Sequence, residues 1–358
     1  MIYVKAYLKN NLGDDLFVRS LVRRYPDEKF YLCANPKFLK PFRKEKNVTR
    51  INIITYSCLR VFSKLTRQRG EIINHLVERK AKAVVHIGGS IFIETENWRN
   101  DRKKIENDNI FIIGANYGPS YTIEFENAVS RELEYVKDCC FRDMASYLQF
   151  KNIQTVRYAP DVLFGYKEFV KCDKVDGIGI SLINLENRKN LQQWKDEYEN
   201  VIVNICISCQ AQNVPVTLFS FCEAEKDQVA IDRILQKLDS KNGIKVTYYT
   251  GNIDYFMKQF AQCKYIIASR FHAMILGWVM GKKVIPIIYS IKQKNVLVDL
   301  NYQNYVWNLL DEEKVTADDL LKKFENMPDI TKIENIKLNS ELQFKALDEF
   351  IKDKKQKY

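Results

Sequence analysis

Histidine, proline and glycine are scarce in this chain, with 3, 8 and 13 of them among 358 residues. The shortage of proline and glycine, beside 46% hydrophobic residues, excludes a largely disordered or fibrous protein. We expect disorder only in the lysine-rich C-terminal segment, 352–357. Because histidine is the usual proton carrier near neutral pH, the position of each of the three is informative.

Signals for secretion, membrane insertion and metal binding are missing as well. The N-terminus has no signal-peptide pattern, and the most apolar stretch, 265–289, is interrupted by two pairs of basic residues. The nine cysteines are scattered, and the C-x-x-C of Cys206 and Cys209 has no second pair, so we predict reduced cysteines and no metal site. These absences favour a cytoplasmic protein.

The charge balance is basic, with 56 lysines and arginines against 45 acidic residues and a net charge of +11. Such a surplus favours phosphorylated substrates, a membrane surface or nucleic acid as partners. Neither zinc-finger spacing nor an aromatic ribonucleoprotein motif is present, so nucleic acid is not expected. The segment 58–69 places Leu59, Phe62 and Leu65 at helical spacing among basic residues. It predicts a helix that either packs on its own sheet or touches the inner face of the cell membrane.

Short β-type runs alternate with helix-length segments from end to end. The predicted strands are 2–7, 30–34, 48–54, 83–87, 109–114, 139–141, 155–158, 178–182, 215–219, 244–249, 265–268 and 283–288. The predicted helices are 14–25, 58–80, 120–137, 143–151, 190–212, 224–239, 253–262, 272–281, 316–325 and 336–354. This alternation predicts βαβ units and parallel sheets.

The alternation lapses over 160–174 and then restarts, which indicates two domains, as does the length of the chain. We predict an α/β protein of two doubly wound, Rossmann-like domains that face each other across a cleft. The first domain covers 1–165, the second covers 175–330, and 331–358 forms a C-terminal helix with a basic tail. In such sheets ligands lie beyond the carboxyl ends of the strands, so candidate residues are sought there.

The first predicted strand runs into a motif of amides, glycine and carboxylates, Asn10-Asn11-Leu12-Gly13-Asp14-Asp15. Asparagine and glycine permit a tight turn, and one aspartate can cap the following helix. The second, adjacent carboxylate is not needed for capping and could act on a sugar hydroxyl. A turn with a cap and a catalytic role are equally consistent with these residues.

Two glycine loops follow strands in the first half of the chain. Gly88-Gly89-Ser90 follows strand 83–87, and Gly114-Ala115-Asn116-Tyr117-Gly118-Pro119 follows the next one. Paired glycines let a ligand or another backbone approach closely. Neither loop has the full G-x-G-x-x-G or P-loop pattern, so together they indicate the floor of a crevice rather than a nucleotide fingerprint.

Two further strand ends carry charged pairs. Arg142-Asp143 follows strand 139–141, and Ala159-Pro160-Asp161 follows strand 155–158. The simplest interpretation is that Asp143 caps the next helix, that Arg142 is a surface charge and that Asp161 is a turn residue.

The most informative stretch is the corner after strand 265–268, Ser269-Arg270-Phe271-His272. A helix pattern starts there at once, and a helix N-terminus directs backbone N–H groups at an anion. A guanidinium and an imidazole at this point suit a phosphate or a carboxylate, and the imidazole could also move a proton. Lys292 and Lys294, after the last strand, either add positive charge to this pocket or lie in a solvated basic turn.

In their order along the chain, these motifs resemble those of the polysaccharide pyruvyltransferases. The resemblance rests on Asn11–Asp14, Gly88–Ser90, Gly114–Pro119, Arg142-Asp143 with Ser146, Ala159–Asp161, Gly179–Leu182 and Ser269–Ala273. It implies a glycosyltransferase-B-like fold, phosphoenolpyruvate as donor, and a saccharide acceptor, lipid-linked or free, whose hydroxyl pair becomes a pyruvate ketal. It implies neither a metal nor a cofactor beyond phosphoenolpyruvate as co-substrate.

The resemblance also implies roles for residues of this chain. His272 is the expected acid, or the group that stabilises departing phosphate, and Asp14 or Asp15 is the expected base on the acceptor hydroxyl. The expected donor-binding residues are Ser269, Arg270, Phe271, Lys292 and Arg142. The expected acceptor-side residues are Asn11, Gly13, Gly88, Gly89, Ser90, Asn116 and Tyr117. The first domain is thus expected to take the acceptor and the second the donor.

Two positions depart from the family pattern. Ser90 stands where many members have a third glycine, and Ile183 stands where many have an arginine directly after the Gly-Ile-Ser-Leu strand. Arg188, a few residues further on, is a candidate replacement for that arginine. The departures concern the acceptor side more than the donor side.

Two other functions are consistent with the sequence. A nucleotide-sugar glycosyltransferase of the same fold would need a carboxylate for the ribose, and the loop after strand 244–249 offers Thr250-Gly251-Asn252 and Asp254 but no glutamate. A non-catalytic member would bind saccharides or anions only, and the Arg270–His272 pair argues against it.

Overall fold

A computed structural model describes residues 1–51, 54–55, 57–58, 77–101, 107–169, 172, 175–186, 188, 190–311, 314–327 and 333–356. The chain divides into two compact units. The first unit consists of Met1–Leu8, Asp14–Gly165 and Ile336–Tyr358, and the second consists of Lys9–Gly13 and Tyr166–Asn335. A short piece of the first loop therefore belongs to the second unit, and most of the C-terminal segment belongs to the first.

The first unit contains a parallel sheet. Its strands are β1 (Ile2–Lys5), β2 (Phe30–Leu32), β3 (Val48–Arg50), β4 (Ala83–Ile87), β5 (Ile110–Ala115), β6 (Asp138–Phe141) and β7 (Val156–Tyr158). Within the described residues the strand order is β3-β2-β1-β4-β5-β6-β7. The α-helices between these strands are α1 (Leu12–Arg24), α2 (Trp98–Asp101), α3 (Ile123–Tyr135) and α4 (Met144–Phe150), with 3-10 helices at Pro36–Phe42 and Val162–Gly165.

The second unit repeats this plan. Its strands are β8 (Ile178–Leu182), β9 (Val216–Ser220), β10 (Ile244–Tyr248), β11 (Tyr265–Ala268), β12 (Lys283–Ile288) and β13 (Trp307–Asn308). Among the described residues they form a parallel sheet in the order β10-β9-β8-β11-β12-β13. Its α-helices are α5 (Lys195–Ala211), α6 (Asp227–Gln236), α7 (Ile253–Ala261), α8 (Phe271–Val279), α9 (Ile291–Asp299) and α10 (Ala317–Asn326), with 3-10 helices at Gln192–Trp194, Gln303–Tyr305 and Leu309–Asp311.

These elements follow from the apolar pattern of the sequence. The central strands β5 and β8 are buried along their whole length because helices cover both faces of a parallel sheet. Helix α7 shows the complementary pattern, since Ile253, Phe256, Met257 and Phe260 form one buried face at helical spacing while Tyr255 is exposed. The prediction of parallel α/β sheets is confirmed, and each predicted strand is present with ends shifted by a few residues.

Three local expectations were wrong, and each error has a physical cause. The basic stretch after β12 does not form the solvated turn that was one of its two interpretations, because Ser290 begins helix α9, in which Val296 and Leu297 are buried. The lysine-rich tail is helical as far as Gln356, because α12 (Lys345–Gln356) anchors it through the buried Leu347 and Ile351. Finally, α1 begins at Leu12, so Asp14 and Asp15 lie in its first turn rather than at its cap.

The C-terminal segment packs into the first unit. It comprises α11 (Ile333–Ser340), a 3-10 helix (Glu341–Phe344) and α12. The fully buried Gln343 accepts the Gly114 N–H at 2.9 Å and donates to the carbonyls of Ala159 (2.6 Å) and Pro160 (3.1 Å). One side chain thereby joins the end of β5 to the loop that follows β7.

The strand orders place the motifs at special points of the sheets. The connections change direction between β1 and β4 in the first unit, and between β8 and β11 in the second. Ligands of open parallel sheets bind where the connections change direction in this way. The Asn11–Asp14 and Gly88–Ser90 motifs follow β1 and β4, and the Ser269–His272 corner follows β11.

Candidate functional site

The corner after β11 in the second unit is fixed by buried hydrogen bonds. The backbone N–H of Arg270 donates to the Ser181 hydroxyl at 3.1 Å, at the end of the neighbouring strand β8. The Ser269 hydroxyl is 2.8 Å from the Tyr198 hydroxyl, and the Ser269 carbonyl accepts from Gln293 at 2.9 Å. Ser269 is fully buried and Phe271 is nearly so. In the structure both residues therefore hold the start of α8 in place. Their contact with a donor stays a prediction.

The guanidinium of Arg270 is buried and paired with two carboxylates. It bonds Asp227 through two nitrogens, with Nε 3.0 Å from Oδ2, and it bonds Glu225 through Nη1 at 2.7 Å. Asp227 is fully buried and also accepts the N–H groups of Phe221 (3.1 Å) and Cys222 (3.0 Å). Burial raises the pKa of Asp227, and the Arg270 charge opposes that rise. The positive charge that we expected at this corner is therefore present, and two carboxylates pair with it.

Glu225 is the carboxylate that two arginines of the second unit share. Its carboxylate binds both Arg270 and Arg188, and Arg188 also lies over the ring of Tyr289 at 4.5 Å. Burial alone would raise the pKa of Glu225, but Arg270, Arg188 and Lys292 lower it to about 2. Arg188, which the sequence left open as a replacement for the arginine missing at Ile183, therefore reaches the same carboxylate as Arg270.

The two lysines after β12 differ in position. Lys292 lies in the first turn of α9 and acts electrostatically on Glu225. Lys294 lies 3.7 Å from Asp311 through Nζ and Oδ1, and its side chain is half exposed. Lys292 is thus the one of the two that the structure brings to the charged cluster of Arg188, Arg270, Lys292, Glu225 and Asp227. We call it the anion-binding cluster after the role that the sequence predicts for it.

His272 packs against the glycine of the N-terminal motif. A Cβ at Gly13 would collide with Nδ1 of His272, so a side chain larger than hydrogen at position 13 displaces the imidazole. The ring also makes an edge contact with Phe271 at a centroid distance of 5.2 Å. The structure therefore brings two separately predicted motifs, Gly13 and His272, into direct contact within the second unit.

The segment Lys9–Gly13 is held in the second unit by backbone pairing. Asn11 forms an antiparallel bridge with Cys222, and the Leu12 N–H donates to the Phe221 carbonyl at 3.0 Å. Asn11 also accepts the Gly13 N–H through its side chain at 3.1 Å, as an N-cap residue does. The visible role of Asn11 is thus to start α1 and to hold Gly13 against His272.

In the first unit, Arg142 lies under a glycine loop rather than on the surface. Its guanidinium donates to Asp161 at 2.8 Å and to Asn116 at 2.8 Å, and both partners are buried. A Cβ at Gly89 would collide with the same guanidinium. The surface-charge interpretation of Arg142 was therefore wrong, because its buried guanidinium joins the loops after β4, β5, β6 and β7. Asp161 is a turn residue as predicted, since its side chain accepts the Leu163 N–H at 2.9 Å, and it also pairs with Arg142. A contact between Arg142 and the donor stays a prediction that this packing does not require.

The adjacent Asp143 acts as predicted, as the cap of α4. Its side chain accepts the Ser146 N–H and the Ser146 hydroxyl, each at 2.9 Å. The Ser146 hydroxyl in turn accepts the Tyr117 N–H at 2.8 Å, which fixes the second glycine loop. Ser146 of α4 therefore fixes Tyr117, and Arg142, directly after β6, fixes Asn116.

The two acidic candidates in α1 differ in exposure. Asp15 is fully buried, whereas Asp14 is partly exposed and lies against the first glycine loop, with its Oδ1 3.5 Å from the position of a Cβ on Gly88. Ser90, next in that loop, is exposed. Asp14 is thus the better placed of the two to meet a solvent-borne hydroxyl.

The sequence had not singled out Glu225 and Asp227. Their signal was an acidic pair between the end of β9 and the start of α6, an arrangement that usually marks only a favourable helix N-terminus. Nothing in the spacing indicated that β9 and β11 flank β8, which is what brings these carboxylates to Arg270.

The described residues contain neither a membrane-spanning helix nor a metal-binding group. No helix there is long and apolar enough to cross a membrane. No group of three or more His, Cys, Asp or Glu side chains in that part of the chain could hold a metal ion. The proposed membrane-contact helix lies almost entirely outside the described residues, as its positions 59–69 are not among them.

The sequence model of the polysaccharide pyruvyl transferase family matches residues 11–291. The chain belongs to this family. The match covers every motif on which the resemblance rested, including the Arg142–Asp161 pair of the first unit and the Arg270–His272 corner of the second. No curated protein matches the chain.

Solved structures similar to this pyruvyl transferase family member share its fold at low sequence identity. HepE from Anabaena, solved with UDP and glucose, is 10% identical with a TM-score of 0.57, over 100% of this chain and 99% of that one. UDP-GlcNAc 2-epimerase from Methanocaldococcus jannaschii, solved with UDP-GlcNAc and UDP, is 12% identical with a TM-score of 0.55, over 94% and 96%. Both are of the glycosyltransferase-B type, so the predicted fold class is confirmed. At such identity the likeness establishes fold and not activity.

Proposed function

We propose that this chain transfers pyruvate from phosphoenolpyruvate to two hydroxyls of a saccharide, forming a cyclic ketal in the synthesis of a surface polysaccharide. The observation that carries the proposal is the anion-binding cluster beside His272, on a chain that belongs to the pyruvyl transferase family. Phosphoenolpyruvate combines a phosphate and a carboxylate, and it needs several fixed cations next to a proton donor.

The cluster suits such a donor. Guanidinium groups recognise carboxylates and phosphates through paired hydrogen bonds. Arg188 and Arg270 both bind one carboxylate in the structure, that of Glu225. Lys292 adds a third positive charge, and the N-terminus of α8 adds its dipole. Because Asp227 holds Arg270 from its buried side, the arginine is oriented before any ligand arrives.

The reaction needs one proton delivered and two removed. We assign His272 to protonate C3 of phosphoenolpyruvate, which converts the methylene to a methyl group and makes C2 electrophilic. One acceptor hydroxyl then attacks C2 and loses its proton to a base. The second hydroxyl attacks the same carbon as the C2–O bond to phosphate breaks, and its proton leaves with inorganic phosphate or through the base. The products are the ketal and phosphate.

On the acceptor side we assign Asp14 as the base. It is the partly exposed carboxylate of α1, and it lies beside the glycine loop at Gly88. Ser90, Asn116 and Tyr117 lie in the two glycine loops and supply polar groups for acceptor recognition. Asp15 is fully buried, so we do not assign it a contact with the acceptor.

The test is phosphate release from phosphoenolpyruvate with a panel of galactosyl, glucosyl and N-acetylmannosaminyl acceptors. We expect release that depends on the acceptor and that is lost in His272→Ala and Arg270→Ala. Release without any acceptor would point to hydrolysis of the donor and would contradict the transfer.

A parallel assay separates the proposal from nucleotide-sugar chemistry. The same panel is incubated with UDP-sugars, and nucleotide release is followed by ultraviolet detection. We expect no release, because Asn252, after β10, serves as the N-cap of α7 and accepts the Tyr255 N–H at 3.2 Å. Release of UDP together with inert phosphoenolpyruvate would overturn the proposed function.

A further inference from the structure

Arg270 has two counter-ions of different character. Asp227 is fully buried, and two backbone N–H groups fix it in addition to the arginine. The side chain of Glu225 is 35% exposed, and the hydrogen bonds described for it are with Arg188 and Arg270. One carboxylate is therefore built into the core, and the other is held by guanidinium groups at the surface of the site.

Glu225 also lies next to solvent. It sits in the turn between β9 and α6, and its neighbours Ala224 and Lys226 are exposed. Turning this side chain outward would leave the Asp227–Arg270 pair and the buried core of the second unit intact. The guanidiniums of Arg188 and Arg270 would then face the vacated position.

We propose that Glu225 is an internal stand-in for the donor's carboxylate, which phosphoenolpyruvate displaces from Arg188 and Arg270 when it binds. This inference rests on the proposed function of the site. The chemistry of the exchange is balanced, since one carboxylate replaces another on the same pair of guanidinium forks. Glu225 gains water in return, and the donor's phosphate is left for Lys292 and the start of α8.

A stand-in of this kind lowers the affinity of the site for every anion that must displace it. An anion with a single charged group gains little by replacing Glu225, because it forms contacts that Glu225 already supplied. An anion with two charged groups gains contacts that Glu225 cannot make. The released product, inorganic phosphate, should therefore bind weakly as long as Glu225 is present, and the site should be cleared after each turnover.

Isothermal titration of the full chain with phosphoenolpyruvate and with inorganic phosphate tests the proposal. The variants are Glu225→Gln, Arg188→Met, the double variant and a matched control, Glu223→Gln. Glu223 lies in the same turn and accepts the Asn10 amide at 2.7 Å, a bond that an amide oxygen can also accept. The control thus removes one negative charge from the same turn without touching Arg188 or Arg270.

We expect Glu225→Gln to bind both anions about ten-fold more tightly than the parent, because a charge-assisted competitor is removed. Glu223→Gln should match the parent. Arg188→Met should weaken binding, and in the double variant the gain from Glu225→Gln should largely vanish, since the two residues act on one another. Thermal unfolding of each variant confirms that it is folded.

The outcomes also separate this inference from the proposed function. Tighter binding of phosphate to Glu225→Gln, with phosphoenolpyruvate bound but never converted, would support the stand-in and overturn the pyruvyl transfer. Equal binding to parent and variant would contradict the stand-in whatever the turnover. Weaker binding, or none, would show that Glu225 orients the arginines instead, and this too would overturn the inference.

Discussion

Two arginines that follow strands of the two sheets, Arg142 and Arg270, have different surroundings. Arg142 in the first unit binds Asp161 and Asn116, and all three residues are buried. Arg270 in the second unit also binds a buried aspartate, but its second carboxylate, Glu225, is partly exposed and is shared with another arginine. Only the second arrangement has surplus positive charge near solvent.

The difference indicates how an arginine that joins loops can be told from one that is placed to bind a ligand. A buried arginine that pairs with a buried carboxylate and a buried amide serves to join loops. An arginine that shares a partly exposed carboxylate with other cations is the kind for which we propose exchange of that partner for an incoming anion. Both residues belong to motifs of the same family, so a motif alone does not tell the two cases apart.

The largest expected effect comes from a substitution that breaks the Arg142–Asp161 pair of the first unit. Arg142→Met should lower the free energy of unfolding by about 3–5 kcal/mol, because it leaves the buried carboxylate of Asp161 without its charge partner. Urea unfolding of the full chain measures this loss. Arg142→Lys keeps the charge but cannot hold Asp161 and Asn116 in one fork, so it should fall between. A loss below about 1 kcal/mol for Arg142→Met, the range of exposed pairs, would contradict the structural role.

The next effect concerns the second unit. Gly13→Ala should reduce turnover about 100-fold, because the added methyl group displaces the imidazole of His272 by an ångström or more. Helix propensity favours alanine at this position of α1, so any loss of stability should come from the collision with His272 and should be absent from the His272→Ala background. In a His272→Ala background the same change should have almost no further effect. A further loss of activity there would show that Gly13 matters for a reason other than His272.

A smaller effect tests the link between the C-terminal segment and the glycine loop of the first unit. Gln343→Leu should cost about 2 kcal/mol of unfolding free energy, because it removes the partners of the Gly114 N–H and the Ala159 carbonyl inside the core. Its dissociation constant for phosphoenolpyruvate should not change. Gln149→Leu is the matched control, since Gln149 is exposed and bonds only Glu126 among the described contacts. Equal losses in the two variants would contradict the role of Gln343.

The smallest effect is a pH dependence that belongs to Glu225. Its pKa in the folded chain is about 2, below the ordinary value of 4.5, so its pairing stabilises the fold above about pH 4.5. That contribution is lost as the pH falls from about 4.5 through 2. Urea midpoints at about pH 5 and about pH 3 should therefore differ more for the parent than for Glu225→Gln. The same difference in both proteins would mean that Glu225 is not paired as described.

The sequence predicted most of the fold but only some of the residues at the candidate site. Strand ends were predictable because alternating apolar runs are local, and so were Asp143 as a cap and the corner at Arg270–His272. Strand order is not local, and it is the order β9-β8-β11 that brings Glu225 and Asp227 to Arg270. The burial of Arg142 escaped prediction for the same reason, since its partners Asn116 and Asp161 follow other strands.

We propose that His272 and the anion-binding cluster convert phosphoenolpyruvate and a saccharide acceptor into a ketal and phosphate. The most direct measurement is carbon-13 NMR of phosphoenolpyruvate labelled at C2, incubated with an acceptor that supports phosphate release. We predict that the enol resonance is replaced by that of a tetrahedral ketal carbon with the parent chain, and that it persists with His272→Ala. Conversion of the label to free pyruvate, or equal conversion by His272→Ala, would contradict the account.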